Sequence, residues 1–270
     1  MKAWFNVLPL DKAVAQLAAS TLPERAAAIT FDDGYADNLS VALPQLRSRG
    51  LPATFFIATG FLDGGRMWND TIIEAIRGCR QSTLDLERLG VGQRHLNTTE
   101  ARRATIDACI AHLKYRSTDE RTTAADEIAV IADARPPSDL MLSSHAVREL
   151  HRAGMQIGAH TISHPILNGL SLDDARHEIQ GGRMRLEEIV DERIAVFAYP
   201  NGRLGDDYAP VHARLVREIG FDAAVSTDIG AACAGADLMQ LPRFTPWDRS
   251  RVRFGARLAA NLVRARRRDS

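Results

Sequence analysis

The sequence predicts an α/β protein built on a parallel sheet, and three observations carry that prediction. Short apolar, β-rich runs alternate with stretches of helical periodicity, the pattern of βαβ units. One such run, Ala28-Ile29-Thr30-Phe31, stops at two adjacent carboxylates and a glycine, Asp32-Asp33-Gly34. A buried strand ends this way when it delivers charge to the carboxyl end of a sheet, where α/β folds place their sites. The chain has 270 residues, 45% hydrophobic and 25% charged, enough to bury one large core.

Taken in order, Asp11 to Ala19 reads as a short amphipathic helix leading into a strand at 26–31. Asp37 or Asn38 caps a helix to Gly50 with Leu39, Leu43 and Leu46 on one face, although Pro44 removes a helical hydrogen bond. Residues 53–58 form a second buried strand. Gly60 to Asp70 is glycine-rich but carries neither Gly-Lys-Ser/Thr nor Gly-x-Gly-x-x-Gly, which excludes a nucleotide loop. Asn69 is expected to cap a helix over 71–77.

From Cys79 to Leu142 the pattern changes. Leu84, Leu86, Leu89 and Val91 sit among polar residues as in a small hairpin, and Asn97 with Glu100 and Ser117 with Glu120 are capping-box signatures for two helices. Residues 79–142 are therefore expected to be a mostly helical insertion in a single domain spanning 1–270. The alternation then resumes. Ser143 or Ser144 caps a helix to His151, Met155 to Ala159 is a strand, and Ser171 with Asp174 opens a helix to about Val190. Strands follow at 194–199, 221–226 and 238–244, Asp207 is the expected cap of the helix between the first two, and a basic helix closes the chain at 251–268.

Two neighbouring aspartates repel, so burying both without a cation costs several kcal/mol or protonates one. Asp32 and Asp33 therefore ask for a metal or a strong cationic partner, the alternative being that one of them caps a helix. A second stretch, Gly158-Ala159-His160-Thr161-Ile162-Ser163-His164-Pro165, places two histidines four residues apart. That spacing can present two imidazoles to one ion, and Pro165 biases His164 away from helical geometry. Alone the pair is a weak signal. Beside the aspartates it becomes informative.

Together these stretches resemble the polysaccharide deacetylase family, the NodB-homology domain or carbohydrate esterase family 4. The resemblance rests on Thr30-Phe31-Asp32-Asp33-Gly34, on His160-Thr161-Ile162-Ser163-His164, and on Phe197-Ala198-Tyr199-Pro200-Asn201-Gly202 as a variant third motif. It implies a distorted (β/α) barrel of about seven strands with a divalent metal, Zn²⁺ in the first instance, at its mouth. By the same resemblance Asp33, His160 and His164 are the ligands, Asp32 is the general base, and a backbone N–H near Asn201 receives the oxyanion. Tyr35, Trp68, Tyr199 and Pro200 are assigned to substrate contact, with ordinary packing as the alternative for Trp68.

Two positions depart from the family pattern. Ala198 stands where the third motif often carries an arginine that orients the base, and Leu241-Pro242-Arg243 stands where the fifth offers Leu-x-His with a histidine acid. Arginine releases no proton near neutral pH. The expectation is that Arg243 reaches into the mouth and pairs with Asp32 or the oxyanion, and that Asp32 serves as base and then acid. The alternative is an ordinary structural ion pair. His145, His151, His177 and His212 fall on predicted helices and His95 and His112 in the insertion, so none is nominated as the acid.

The expected activity is metal-dependent hydrolysis of N-acetyl groups on the amino sugars of a polysaccharide or glycan precursor. The alternatives are a drifted carbohydrate-binding relative and a deacylase or deformylase of another small amide. Lys plus Arg and Asp plus Glu number 34 each, so no net charge draws the chain to nucleic acid. Cys79, Cys109 and Cys233 are far apart and read as reduced thiols. Pro9, Asp11 and Lys12 interrupt the start where a signal peptide needs an apolar core, and no run reaches the length of a membrane span, so a cytoplasmic location is expected. The first strand lies close to Met1, which leaves room for an upstream segment. Arg264, Arg266, Arg267 and Arg268 offer weak contact with anionic lipid, or simply suit a helix's carboxyl-terminal dipole. Oligomeric state, acyl group and glycan length stay open.

Overall fold

Side chains alternate across a strand with period two, so the parity of each apolar run decides what meets at the site. In the computed structural model, which describes residues 4–245, 248 and 250–266, the chain begins with β1 (Asn6–Val7), α1 (Leu10–Ala18), β2 (Ala26–Ala27), β3 (Thr30–Phe31), α2 (Leu43–Arg47) and β4 (Thr54–Ile57). Next come α3 (Trp68–Gly78), β5 (Thr83–Leu86), β6 (Gly92–His95), α4 (Thr99–Leu113) and α5 (Thr118–Ile131). The remainder gives α6 (Ser144–Arg152), β7 (Gln156–Ala159), α7 (Leu172–Val190), β8 (Val196–Ala198), α8 (Pro210–Ile219), β9 (Ala223–Ile229), β10 (Leu241–Arg243) and α9 (Arg251–Arg266). These elements form two units, one from Asp63 to Met141 and one from the residues on either side of it.

In the larger unit six parallel strands lie in the order β3-β4-β7-β8-β9-β10 and curl into a half-barrel, while β1 and β2 form a separate two-stranded sheet among the described residues. Both faces of the sheet are covered, which is why its strands read as unbroken apolar runs. Phe55, Ile57, Ile157 and Phe197 face outward against Leu43 and Leu46 of α2, Val147 and Leu150 of α6, Ile179 and Leu186 of α7, and Val216 of α8. Phe56, Val196, Ala198, Val225 and Leu241 face inward, packed with Leu10 and Val14 of α1.

Gly158 makes the inner packing possible. A Cβ there would lie 2.4 Å from Cδ1 and 2.5 Å from Cε1 of Phe56, and 3.1 Å from Cγ2 of Val196. Gly158→Ala is expected to overpack this face and to cost about 1–3 kcal/mol, read as a lowered melting temperature. An unchanged melting curve would show that Phe56 turns aside freely.

Several local expectations are corrected. The run at 26–31 splits in two, because Ala26 and Ala27 pair with β1 whereas Thr30 and Phe31 pair with β4. Pro44 is accommodated by a π-helical turn at Asn38–Ala42, where the Leu43 N–H reaches back to Asn38 before α2 continues. Asn69 does not cap α3, which starts at Trp68 without a side-chain cap. Thr98, not Asn97, caps α4 by accepting from the Ala101 N–H at 3.1 Å. Asp207 is buried and accepts from the Arg203 N–H at 3.0 Å, while α8 opens on Pro210 with His212 Nδ1 accepting from the Ala209 N–H. The capping box of Ser117 with Glu120 and the Ser143 and Ser171 caps are present.

The smaller unit begins before Cys79, since Ile72, Ala75 and Ile76 of α3 share one core with Leu84, Leu86, Cys109, Leu113 and Ile128. Its strands β5 and β6 form an antiparallel hairpin. Among the described residues no helix is long and apolar enough to cross a membrane. Arg267 and Arg268, part of the basic run, lie outside the described residues.

Candidate active site

Parity carries four polar side chains, those of Thr30, Asp32, His160 and Arg243, to the inner face. Phe31 stacks outward on Phe55 at 4.9 Å, so Thr30 and Asp32 take the inner face. Ile157 and Ala159 belong to the outer core, which leaves Gly158 and His160 inside; Leu241 is inside, and with it Arg243. Arg243 then spans the sheet's two edge strands, β10 and β3. Its Nη1 and Nη2 donate to Asp32 Oδ1 and Oδ2, each at 2.7 Å, with a further bond from Nη1 to Thr30 Oγ1 at 3.2 Å and from Nε to the Ser226 carbonyl at 2.8 Å. The guanidinium also lies over Phe56, 5.9 Å from the ring centre. A two-pronged pair of this kind fixes the carboxylate in plane and in direction.

Asp33, His160 and His164 form a second cluster with their ligand atoms within 4.8 Å of one another. Both histidine Nε2 atoms stand 3.4 Å from Asp33 Oδ1. Donors at 2.0–2.1 Å from a tetrahedral Zn²⁺ sit roughly 3.3–3.4 Å apart, so these two separations are compatible with ligands of one ion. The tautomer agrees. His160 Nδ1 lies 2.7 Å from the Ala198 carbonyl, which only accepts, so Nδ1 carries the proton and the Nε2 lone pair faces the cluster. The donor set of two imidazoles and one carboxylate suits a divalent ion with open positions.

The loops that carry these groups are stitched by main-chain bonds. The Ala58 N–H donates to the Asp33 carbonyl, and the Thr59 and Gly60 N–H groups donate to the carbonyls of Thr161 and Ile162. Asp33, Thr161, His164 and Asn201 all have positive φ, at 76°, 67°, 53° and 58°. Such backbone clusters at functional sites because the surroundings must enforce it.

The sequence profile of the family described as "Polysaccharide deacetylase" matches residues 19–224, most of the chain. The chain belongs to the polysaccharide deacetylase family. YxkH of Bacillus subtilis (strain 168), a polysaccharide deacetylase by name, is 21% identical over 220 residues, which cover 82% of this chain and 51% of YxkH. The chain thus spans about half the length of that relative. The deacetylase PplD of Streptococcus pyogenes superposes with a TM-score of 0.57 at 19% identity, over 90% of this chain and 74% of PplD. IcaB of Ammonifex degensii gives 0.58 at 17% identity, over 96% and 82%. At these identities the structures share the fold.

Within this deacetylase fold burial opposes charge on both Asp33 and His160, yet their mutual contact and neighbouring charges prevail. Asp33 is held below the usual carboxylate range by His160, His164 and Arg243, and His160 is raised by Asp33 and Asp32.

The remaining sequence-nominated residues are placed as follows. Tyr35 follows the aspartate pair directly, half-buried, with its carbonyl accepting from the Asn38 N–H. The Asn201 carbonyl accepts from Thr227 Oγ1 at 2.6 Å, which holds the turn after β8. Tyr199 is fully buried, stacked on Tyr208 at 3.8 Å with its hydroxyl donating to the Met239 carbonyl, and Pro200 is buried beside it. Tyr199 therefore packs the wall behind the site and offers no face to a sugar. Trp68 belongs to the smaller unit, half-buried, with the Arg121 guanidinium 5.3 Å from its ring centre. Sequence reasoning missed Thr30 and the Ser226 and Ala198 carbonyls, whose roles are set by partners distant in sequence, and it missed Glu178.

Proposed function

We propose that this chain is a metal-dependent N-deacetylase of amino sugars in a polysaccharide or glycan precursor. The observation that carries the reading is the Asp33–His160–His164 cluster beside Asp32, a carboxylate that Arg243 grips through both oxygens. Asp33, His160 and His164 would hold a divalent ion, Zn²⁺ by ligand chemistry, which when bound polarises an amide carbonyl and lowers the pKa of a water toward neutrality.

The chain's own groups perform the rest. Asp32 takes a proton from the attacking water; each of its oxygens keeps a lone pair beyond the bond to Arg243. A C–O bond forms at the acyl carbon as the backbone N–H at Asn201 steadies the oxyanion. The C–N bond then breaks, the proton on Asp32 passes to the leaving amine, and acetate and a free amino sugar depart. Arg243 carries no transferable proton and serves to orient Asp32. Tyr35, next to the aspartate pair, is assigned to the sugar side.

The test is acetate release from N-acetylglucosamine oligomers by protein stripped with a chelator and then reloaded with Zn²⁺. Release is expected only after reloading. Release that survives stripping would sink the metal dependence, and zinc uptake without any release would move the assignment to another amide or to glycan binding.

A further inference from the structure

Beyond the main-chain bonds from Thr59 and Gly60, the turn that carries both histidines is held by one acid outside it. Thr161 and His164 bend the turn with φ of 67° and 53°, conformations that side-chain-bearing residues keep only under constraint. Glu178, on α7, adds its side chain to the constraint already set by the Thr59 and Gly60 N–H groups and by Thr161 Oγ1 on the His164 N–H. Its Oε2 accepts from the N–H groups of Ile162 at 2.9 Å and Ser163 at 2.8 Å, and its Oε1 accepts from Ser163 Oγ at 2.7 Å.

The same face of α7 is bare one turn on, at Gly181 and Gly182. A Cβ on Gly182 would lie 2.7 Å from the Thr161 carbonyl, and one on Gly181 would lie 2.6 Å from Ile162 Cδ1. The helix is therefore built to lie directly against this turn. Glu178 is the group with which it takes hold.

We infer that Glu178 is a positioning residue: through the 161–163 main chain it sets the direction in which His160 and His164 aim Nε2 at Asp33. This rests on the metal-site reading above. The two oxygens of Glu178 divide the three partners, Oε2 taking both N–H groups and Oε1 the Ser163 hydroxyl. Supports of this kind tune metal affinity even though they never touch the ion.

The experiment compares wild type with Glu178→Ala, Glu178→Asp and Glu178→Gln. Zinc affinity is measured by competition with a chromophoric chelator, the Co²⁺-substituted visible spectrum reports ligand geometry, and melting of the metal-free proteins reports the fold. Glu178→Ala is expected to weaken zinc binding by about 10–100-fold and to change the Co²⁺ spectrum. Glu178→Asp, one methylene short of its partners, is expected to follow it in the same direction. Glu178→Gln keeps one oxygen for the two N–H donors and turns its amide toward the rotatable Ser163 hydroxyl, so it is expected to recover most of the affinity. Wild-type affinity and spectrum in the Ala or Asp variant would overturn the inference. If the Ala variant does not fold, the Asp variant decides. A wild type that takes up no zinc would overturn the metal-site reading and this inference with it.

Discussion

Asp32→Asn is expected to lower turnover by about 10²–10⁴-fold, the range that a positioned proton-transfer group contributes, while zinc content stays at the wild-type level. The substitution preserves size and leaves Asp33, His160 and His164 in place, so only the base is removed. It also sets an amide N–H₂ against one prong of Arg243, whose side chain is 13% exposed. Two donors then face each other in a partly dry pocket, and a loss of about 1–3 kcal/mol in stability is expected alongside. Acetate release per zinc-loaded, folded molecule separates the two effects. Turnover that falls only in proportion to the folded fraction would place the base elsewhere.

Arg243→Ala is expected to lower turnover at least about 10²-fold with the metal site intact, since a misdirected base loses the geometric advantage on which proton transfer depends. The stability effect should be larger than for Asp32→Asn. Breaking a buried pair costs about 3–5 kcal/mol, and the figure here lies toward the lower end because the Asp32 side chain keeps 29% of its exposure. Arg243 also ties β10 to β3, so its loss loosens the closure of the sheet. Arg243→Lys retains the charge without the fork and is expected to fall between the two. If Arg243→Ala kept wild-type turnover per folded molecule, the residue would be a structural tie alone.

The fold class and the core of the site were legible because both are local properties. An alternation of apolar runs and amphipathic stretches needs no tertiary information to signal a parallel sheet, and the Asp32-Asp33 pair and His160 stand directly at the ends of such runs. Period-two parity puts Asp32 and His160 on the face opposite Phe31 and Ile157, but runs that are apolar on both faces do not say which face is the inner one. Caps were less legible. Thr98 and Asn97 are both good cap residues, and only the packing of α4 chooses between them. Tyr199 looked like a substrate surface because it sits at a strand end; its depth depends on Tyr208, which comes from the loop before α8.

By itself, then, the amino-acid sequence determined that apolar strands would end in carboxylates and imidazoles, since a strand's direction and alternation are written in consecutive residues. Where the sequence pointed Arg243 to Asp32 or to the oxyanion, the tertiary structure decided for Asp32, 211 positions away, because that contact depends on how far six twisted strands curl before their edges approach. It likewise decided that Glu178 would hold the histidine turn, for an acid on a helix acquires its partners only when the helix packs.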